Sequence, residues 1–163
     1  MRREIGFYIA GFVDGEGSFN VSVRKRDDYK NKIKISLCFN VSQKDKVILA
    51  LLKRHIGCGT LRQRQDGIWY YEVNNFNAIT EKVIPFFKKY PFLSAKKKRD
   101  FSKFCQIAEI LRKGEHLDKE GIKMILSLRN QMNDGGNRKF SDEEILKKLQ
   151  ESSETTCQTS EKS

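Results

Sequence analysis

Two carboxylates stand among three glycines near the start of the chain, in the stretch YIAGFVDGEGSF. Asp14 and Glu16 follow an apolar segment, Glu4 to Val13, whose spacing predicts a helix, and Gly15 and Gly17 are suited to end it. Acids at a helix C-terminus meet the negative end of the dipole, which costs ~0.3–1 kcal/mol each. A divalent cation such as Mg²⁺, or Mn²⁺, would relieve that conflict, because it prefers carboxylate and carbonyl oxygens. The alternative is a helix-ending loop of solvated acids.

Three small residues, Gly6, Ala10 and Gly11, give this predicted helix a face with little side-chain bulk. Another helix can then approach near the low end of the ~8–10 Å interaxial range. That helix belongs either to the same chain or to a second copy. The acidic motif occurs once in the sequence, so a paired site would need a homodimer, in which Asp14 and Glu16 of both copies meet near the two-fold axis.

The overall charge points to a polyanionic partner. A formal net charge of +11 on 163 residues makes nucleic acid the first candidate and an anionic membrane surface the second. No apolar run approaches the ~20 residues of a membrane-spanning helix, and the N-terminus is too short for a signal peptide. We therefore expect an intracellular protein without a membrane partner. Four cysteines lack metal-ligand spacing and are interpreted as reduced thiols: Cys38, Cys58, Cys105 and Cys157.

Two long strands are predicted after the first helix, because apolar and polar residues alternate from Ser18 to Arg26 and again from Ile33 to Val41. The segment DDYKN between them reads as a turn. A second helix starts after Ser42 and stops at Gly57, with apolar residues at helical spacing.

A second hairpin follows, with strands TLRQRQ and IWYYEV joined by a two-residue turn at Asp66-Gly67. That turn would place Arg64 opposite Trp69 and Arg62 opposite Tyr71.

Further helices complete the chain. Ser94 is a candidate N-cap for a helix that buries Phe101 and Phe104, Asp118 begins another helix, and Ser141 with Glu144 forms a capping box for a last one. The pattern predicts an α+β protein of order αββαββα plus C-terminal helices, with one domain over residues 1–150 and a polar, disordered tail over 151–163.

The motif and its surroundings resemble a known family. IAGFVDGEGSF, then VSQKD, GCGTLRQR, PFLSAKKKRDF and NDGGNRKFSDEE, occur in the order typical of LAGLIDADG homing endonucleases of the single-motif, homodimeric type. The resemblance spans roughly residues 5 to 150. It implies the homing-endonuclease fold, with a saddle-shaped antiparallel sheet, and an enzyme that cuts DNA with divalent metal.

The resemblance also assigns site residues. It implies that Glu16 holds metal through its side chain and Gly15 through its carbonyl, whereas Asp14 caps and orients the paired helices. It places Gln43 and Lys96 at the border of the metal site as catalytic residues that position the water network. Many members carry Asp where this chain has Glu16, although Glu also occurs there. Taken alone, Gln43 could equally be an ordinary residue between strand and helix.

Lys96 also begins a basic run in the first turn of the helix that Ser94 caps. Cations there add to the positive end of the dipole, and an external anion such as a DNA phosphate would relieve the conflict. We interpret the next three residues, Lys97, Lys98 and Arg99, as a solvated face.

One face of the predicted sheet is polar and basic, which suits the DNA major groove. Arginine can bind guanine, and asparagine adenine, through two hydrogen bonds worth ~1–3 kcal/mol of discrimination. The residues expected to contact DNA are Asn20, Ser22, Arg24, Arg26, Lys34, Ser36, Asn40, Arg62, Arg64, Trp69 and Tyr71, with Arg138 and Lys139 added by resemblance to a phosphate-contacting loop. The alternatives are a solvated sheet face, a flexible loop at 137–139, and core packing for the two aromatic residues.

The sequence thus predicts a magnesium-dependent, sequence-specific endonuclease for intron homing. It would act as a homodimer on double-stranded DNA at a long pseudo-palindromic site. The alternatives are an RNA splicing maturase and a non-cleaving DNA-binding regulator of the same fold. The richness in Lys, Ile, Phe and Asn hints at an AT-rich gene, as in a chloroplast or mitochondrion.

Overall fold

The computed structural model describes residues 3–26 and 33–133, together with Ile145 and Lys147. The predicted turn at 27–31, the capping box of Ser141 and Glu144, the loop with Arg138 and Lys139, and the tail over 151–163 lie outside these residues. Among the described residues, no helix combines the length and the apolar character needed to cross a membrane.

The order of helices and strands confirms the predicted α+β fold. The elements are α1 (Arg3–Glu16), β1 (Gly17–Lys25), β2 (Ile33–Gln43), α2 (Lys46–Ile56), β3 (Thr60–Gln63), β4 (Trp69–Val73), α3 (Phe76–Ala78), a π-helical turn (Ile79–Val83), α4 (Ile84–Lys89), α5 (Ala95–Lys113), a 3₁₀ turn (Glu115–Leu117) and α6 (Lys119–Asn130). Side chains cap the helices as the sequence predicts at Ser94 and Asp118, and α2, which was predicted to start after Ser42, is capped by Asp45. The additional helices after β4 are the predicted C-terminal part of the fold.

The four strands form one antiparallel sheet in the order β1-β2-β4-β3. Apolar residues of one parity point toward the helices, as the alternation predicts, and aromatic rings fill the space between. Phe19 and Phe39 are paired across β1 and β2 and stack with ring centroids 5.1 Å apart. A second, smaller apolar cluster lets α6 cover the far ends of β1 and β2; its buried members are Val23, Ile33, Ile122, Leu126 and Ile145.

The β3–β4 hairpin differs from its predicted register by one residue. Arg64 N–H donates to the Ile68 carbonyl (2.8 Å), Gly67 N–H donates to the Arg64 carbonyl (3.0 Å), and Gly67 is left-handed at φ 81°. These are the features of a three-residue loop with a bulge at glycine, not of a two-residue turn. Arg62 therefore pairs with Tyr70, and Tyr71 pairs with Leu61. Because side chains alternate between faces, a shift of one residue moves each aromatic ring to the opposite face from its predicted arginine partner.

Candidate functional site

The carboxylate of Asp14 connects the end of α1 to the start of α5. It accepts hydrogen bonds from the backbone N–H groups of Leu93 (3.0 Å) and Ser94 (2.9 Å), and from the Ser94 hydroxyl. That hydroxyl in turn accepts the N–H of Lys97 and caps α5. Each oxygen of Asp14 thus accepts a hydrogen bond within its own chain, which gives this residue an intrachain capping role.

The hydrogen bonds also set the ionisation of Asp14. Partial burial by itself would raise the pKa, but the bonds from Ser94 and Leu93 and the nearby charge of Lys97 outweigh it and lower the pKa below its usual value. Asp14 is therefore an ionised structural acid near neutral pH, and it holds the basic first turn of α5 beside the end of α1.

The other acid of the motif, Glu16, is the last residue of α1 and is exposed, as is Gly15 before it. Gly17 then begins β1 and pairs with Val41 of β2. Gln43 is the last residue of β2, two positions beyond Val41, and its side chain accepts the N–H of Lys44 (2.8 Å). The register therefore brings the end of α1 and the end of β2 to the same edge of the sheet.

Lys97 contributes to this edge, contrary to the prediction that it lies on a solvated face. Its side chain is half-buried, and its ammonium donates to the carbonyl of Gly17. Burial lowers the pKa of Lys97 and the charge of Lys96 acts in the same sense, whereas Asp100, Asp14 and Glu16 act to raise it. Interpretation of Lys97 as a solvated residue is therefore wrong.

A helical-period signal could have identified Lys97. It lies four and seven residues before Phe101 and Phe104, which the sequence analysis placed on the inward face of the helix. Lys96 lies outside that stripe and is exposed.

The donor set at this edge suits a hard divalent cation, but one copy supplies only part of it. Glu16 offers carboxylate oxygens and Gly15 offers a backbone carbonyl, both of which Mg²⁺ and Mn²⁺ accept. Within the described ranges, no cluster of three or more His, Cys, Asp or Glu side chains could hold a metal by itself. Any cation here would therefore complete its shell with water, phosphate oxygens or a second copy of the chain.

The faces of α1 differ from the prediction at two residues. Gly6 and Ala10 are buried in their own chain, and a Cβ at Gly6 would overlap the ring of Tyr90. The expectation that they form a dimer contact is wrong, because internal packing already uses that side of the helix. Gly11 is exposed, and a Cβ there, like one at Gly15, would meet no atom within 4 Å. The open stripe of α1 thus runs through Gly11 and Gly15.

The outer face of the sheet carries most of the polar residues that the alternation predicts. Arg24 and Lys34 pair across β1 and β2 at one end, and Ser22 pairs with Ser36. The remaining predicted contacts that lie on this face or directly beyond its strands are Asn20, Arg26, Asn40, Arg62 and Arg64.

Two aromatic residues do not belong to the outer face. Tyr71 is fully buried, and its hydroxyl donates to the carbonyl of Cys58 (2.9 Å), so the prediction that it contacts DNA is wrong. Trp69 has the same parity, packs partly against the core, and carries the ammonium of Lys46 4.5 Å from its ring centroid. The prediction that Trp69 shares the outer face is therefore also wrong. The one-residue register shift explains both errors.

The same shift places two residues on the outer face that were not predicted to lie there. Tyr70 and Glu72 lie on the outer face, where Tyr70 pairs with Ser42 and Glu72 with Asn40. No local sequence signal identified them, because Asp66-Gly67 is compatible with a two-residue and a three-residue loop, and the two loops differ in which of the adjacent tyrosines faces outward.

Comparison with known proteins identifies the family. The LAGLIDADG endonuclease family matches residues 9–108. The homing endonuclease I-ApeII of Aeropyrum pernix is 29% identical over 148 residues, which cover 86% of this chain and 87% of that protein. A probable intron-encoded endonuclease of Neurospora crassa is 32% identical over 77% of this chain, which spans only 24% of that longer relative.

A solved structure supports the same conclusion. An archaeal intron-encoded homing endonuclease, I-Vdi141I in complex with DNA, superposes with a TM-score of 0.86 at 31% identity and covers 94% of this chain and 99% of its own. The chain belongs to the LAGLIDADG endonuclease family. It is a site-specific DNA endonuclease with a single copy of the motif, as the resemblance implied.

Proposed function

We propose that this chain works as a homodimer that cuts both strands of a long, pseudo-palindromic DNA site in a divalent-metal-dependent reaction. The observation that supports the proposal is that Glu16 ends α1, Gln43 ends β2 and Lys97 donates to Gly17 at one end of a sheet with a polar, basic face. One copy offers half of a cutting site and half of a recognition surface. Pairing along the open stripe of Gly11 and Gly15 would supply the other half.

The residues of this edge have separate roles in the proposed reaction. Glu16, through its carboxylate, and Gly15, through its carbonyl, would hold Mg²⁺ or Mn²⁺. When bound, such an ion makes water nucleophilic near neutral pH and neutralises charge on the leaving oxygen. Gln43 can orient a water through its amide.

The two neighbouring lysines then have distinct parts. Lys97, anchored on Gly17 and half-buried, holds a positive charge in a partly desolvated place, where it stabilises a developing phosphorane charge more strongly than in water. Lys96 is exposed on the same turn and is proposed to steer phosphate or to assist the water network.

Recognition is proposed for the outer sheet face. The residues retained for DNA contact are Asn20, Ser22, Arg24, Arg26, Lys34, Ser36, Asn40, Arg62 and Arg64, with Arg138 and Lys139 as proposed phosphate contacts. This distribution of arginine and asparagine suits base-edge hydrogen bonding in the major groove.

The endonuclease domain is proposed to span residues 1–150, with 151–163 as a tail.

The test uses a random duplex library, from which bound and cut sequences are recovered separately in the presence of Mg²⁺. Wild type should select a site with two related halves and cut near its centre. Glu16→Gln should bind the same site and lose cutting by at least about a hundredfold. Glu120→Gln removes the same charge from an exposed acid of α6 and serves as the control. Equal cutting by Glu16→Gln would overturn the metal assignment.

A second pair of variants distinguishes the role of Lys97 from that of Lys96. Lys97→Met keeps most of the aliphatic stem and should slow cutting by about a hundredfold, with a smaller effect on binding. Lys96→Met should weaken binding more than it slows the bound complex. The reverse pattern would restore Lys96 as the principal catalytic lysine. A wild-type protein that selects a duplex but never cuts it would instead be a DNA-binding regulator, and preference for a structured RNA over every duplex would favour a maturase.

The names of the relatives support a proposal about the genetic setting of this chain. Matching proteins are named as intron-encoded, which supports an intron as the location of this gene. A chloroplast or mitochondrial intron is our proposal, and sequencing the DNA on either side of the gene would test it.

A further inference from the structure

A compact cluster of four side chains lies on the outer face of the β3–β4 hairpin. We call it the Tyr70 cluster, and it consists of Arg62, Arg64, Tyr70 and Glu72. The guanidinium of Arg64 lies 4.1 Å, and that of Arg62 5.5 Å, from the centroid of the Tyr70 ring. An Nη2–Oε1 ion pair of 3.0 Å joins Arg62 to Glu72. Both arginines thus lie over the Tyr70 ring, and Arg62 is also held by Glu72.

These contacts limit the conformations of the arginines. A free arginine side chain has ~2 kcal/mol of rotamer entropy, part of which is lost whenever the side chain binds a base. Stacking on Tyr70 and pairing with Glu72 already reduce this entropy in the protein without DNA, so less of it is lost on binding. A guanidinium has five N–H donors, so the bond to Glu72 leaves others on Arg62 for a guanine. These contacts restrict the directions in which the guanidinium donors can point.

The presence of an acid, Glu72, in this otherwise basic cluster bears on the function of the cluster. On a face that only attracted phosphates Glu72 would weaken binding, because its carboxylate repels the DNA backbone and neutralises one of two nearby arginines. The Arg62–Glu72 pair stabilises the hairpin as a cross-strand ion pair, and it also fixes the direction of the guanidinium, which matters for discrimination between bases. Glu72 is mostly shielded, with 20% of its side chain exposed, whereas that of Arg62 is 61% exposed. The carboxylate is thus more shielded from solvent than the guanidinium that it binds.

The sheet register locates the cluster relative to the cutting edge. Tyr70 pairs with Arg62 on one side and with Ser42 on the other, and Ser42 is adjacent to Gln43. Arg24 and Lys34 lie at the opposite end of β1 and β2. A base contacted by the Tyr70 cluster is therefore closer to the cut than one contacted by Arg24.

We propose that Glu72 and Tyr70 are positioning residues that hold Arg62 and Arg64 for recognition of guanine in the inner part of each half-site. The inference rests on the proposed reading of DNA by the outer sheet face. It adds residues that determine specificity without supplying positive charge, and it predicts where in the half-site they act.

The experiment compares base preferences of wild type, Glu72→Gln and Tyr70→Leu, each as full-length protein with its Tm checked. Bound and cut duplexes from a library randomised around the selected site are sequenced at several salt concentrations. Glu72→Gln should lower guanine preference on the order of tenfold at one inner position per half-site and leave the outer positions unchanged. Its overall affinity should stay equal or rise, since a negative charge is removed.

A matched control comes from another glutamate–arginine pair. Glu109 pairs with Arg112 at 2.7 Å on α5, so Glu109→Gln makes the same chemical change away from the sheet and should keep the wild-type profile. Tyr70→Phe keeps the ring and should also resemble wild type, whereas Tyr70→Leu should lose guanine preference.

The outcomes separate this inference from the proposed function. An unchanged profile for Glu72→Gln, or a uniform fall at every position, would overturn the positioning role while wild-type cutting still stands. If wild type binds without cutting, the proposed nuclease function fails, but loss of guanine preference among bound sequences would still support the cluster. Absence of any duplex preference in wild type would overturn both.

Discussion

The junction between α1 and α5 allows a quantitative test through replacement of Asp14 by alanine. Three donors end on this carboxylate: Leu93 N–H at 3.0 Å, Ser94 N–H at 2.9 Å, and the Ser94 hydroxyl. Hydrogen bonds to a charged group contribute ~1.5–3 kcal/mol each, but water can replace part of these bonds because the junction is exposed. About 1 kcal/mol for each bond gives a loss of about 3 kcal/mol in the free energy of unfolding.

That loss converts to a measurable change in Tm. For a protein of this size, 1 kcal/mol shifts Tm by roughly 2–4 °C, so Asp14→Ala should melt about 6–12 °C below wild type at neutral pH. Asp45→Ala is the control, because Asp45 caps α2 through one bond, to Val47 N–H at 2.8 Å. It should cost about 1 kcal/mol, or about 2–4 °C. Calorimetry at one fixed protein concentration is required, since the proposed dimerisation would make Tm depend on concentration.

The pH dependence of Tm independently tests the direction of the Asp14 pKa shift. The pKa of Asp14 is lower in the folded protein than in the unfolded chain, so the folded state holds fewer protons between the two pKa values. The stabilisation is then complete above about pH 4 and declines as pH falls through the folded pKa. The Tm gap between wild type and Asp14→Ala should therefore narrow below about pH 4. A gap no larger than that of Asp45→Ala, or one that widens in acid, would refute the capping role.

The remaining predictions concern two faces of α1 and the buried residue Tyr71. Gly11→Leu should keep the unfolding free energy of the monomer but shift light-scattering mass from dimer to monomer, because its Cβ position is open; a dimer of unchanged affinity would count against that stripe. Gly6→Leu should lower stability by at least about 2 kcal/mol in chemical denaturation, since the ring of Tyr90 already fills the space. Tyr71→Phe should cost ~1–2 kcal/mol by leaving the Cys58 carbonyl without its donor, while base preference in library selection stays as in wild type.

The long strands and the main helices were predictable from sequence because their signals are local. Alternation over β1 and β2 has period two, and only one register of that pattern buries Phe19 and Phe39 together. Ser94 was recognisable as an N-cap from the type of residue and the run that follows it. The family motif could likewise be recognised from sequence, because its residues are consecutive.

The β3–β4 register was not predictable in the same way. Asp66-Gly67 is compatible with two loop lengths, and the choice depends on which tyrosine the core accepts. The structure buries Tyr71 against Phe39 and the Cys58 carbonyl, and this packing selects the three-residue loop. The Tyr70 cluster exists only as a consequence of that choice.

By itself, then, the sequence determined the order of elements, the acidic motif at the end of α1 and the basic character of the sheet. Each of these features depends only on neighbouring residues or on composition. Tertiary structure alone decided which glycines of α1 remain open, which lysine of α5 reaches Gly17 and which tyrosine faces outward. These outcomes depend on contacts between segments far apart in the chain, such as Gly6 with Tyr90 and Asp14 with Ser94. Local periodicity can name the candidates for such contacts, but only packing in three dimensions selects among them.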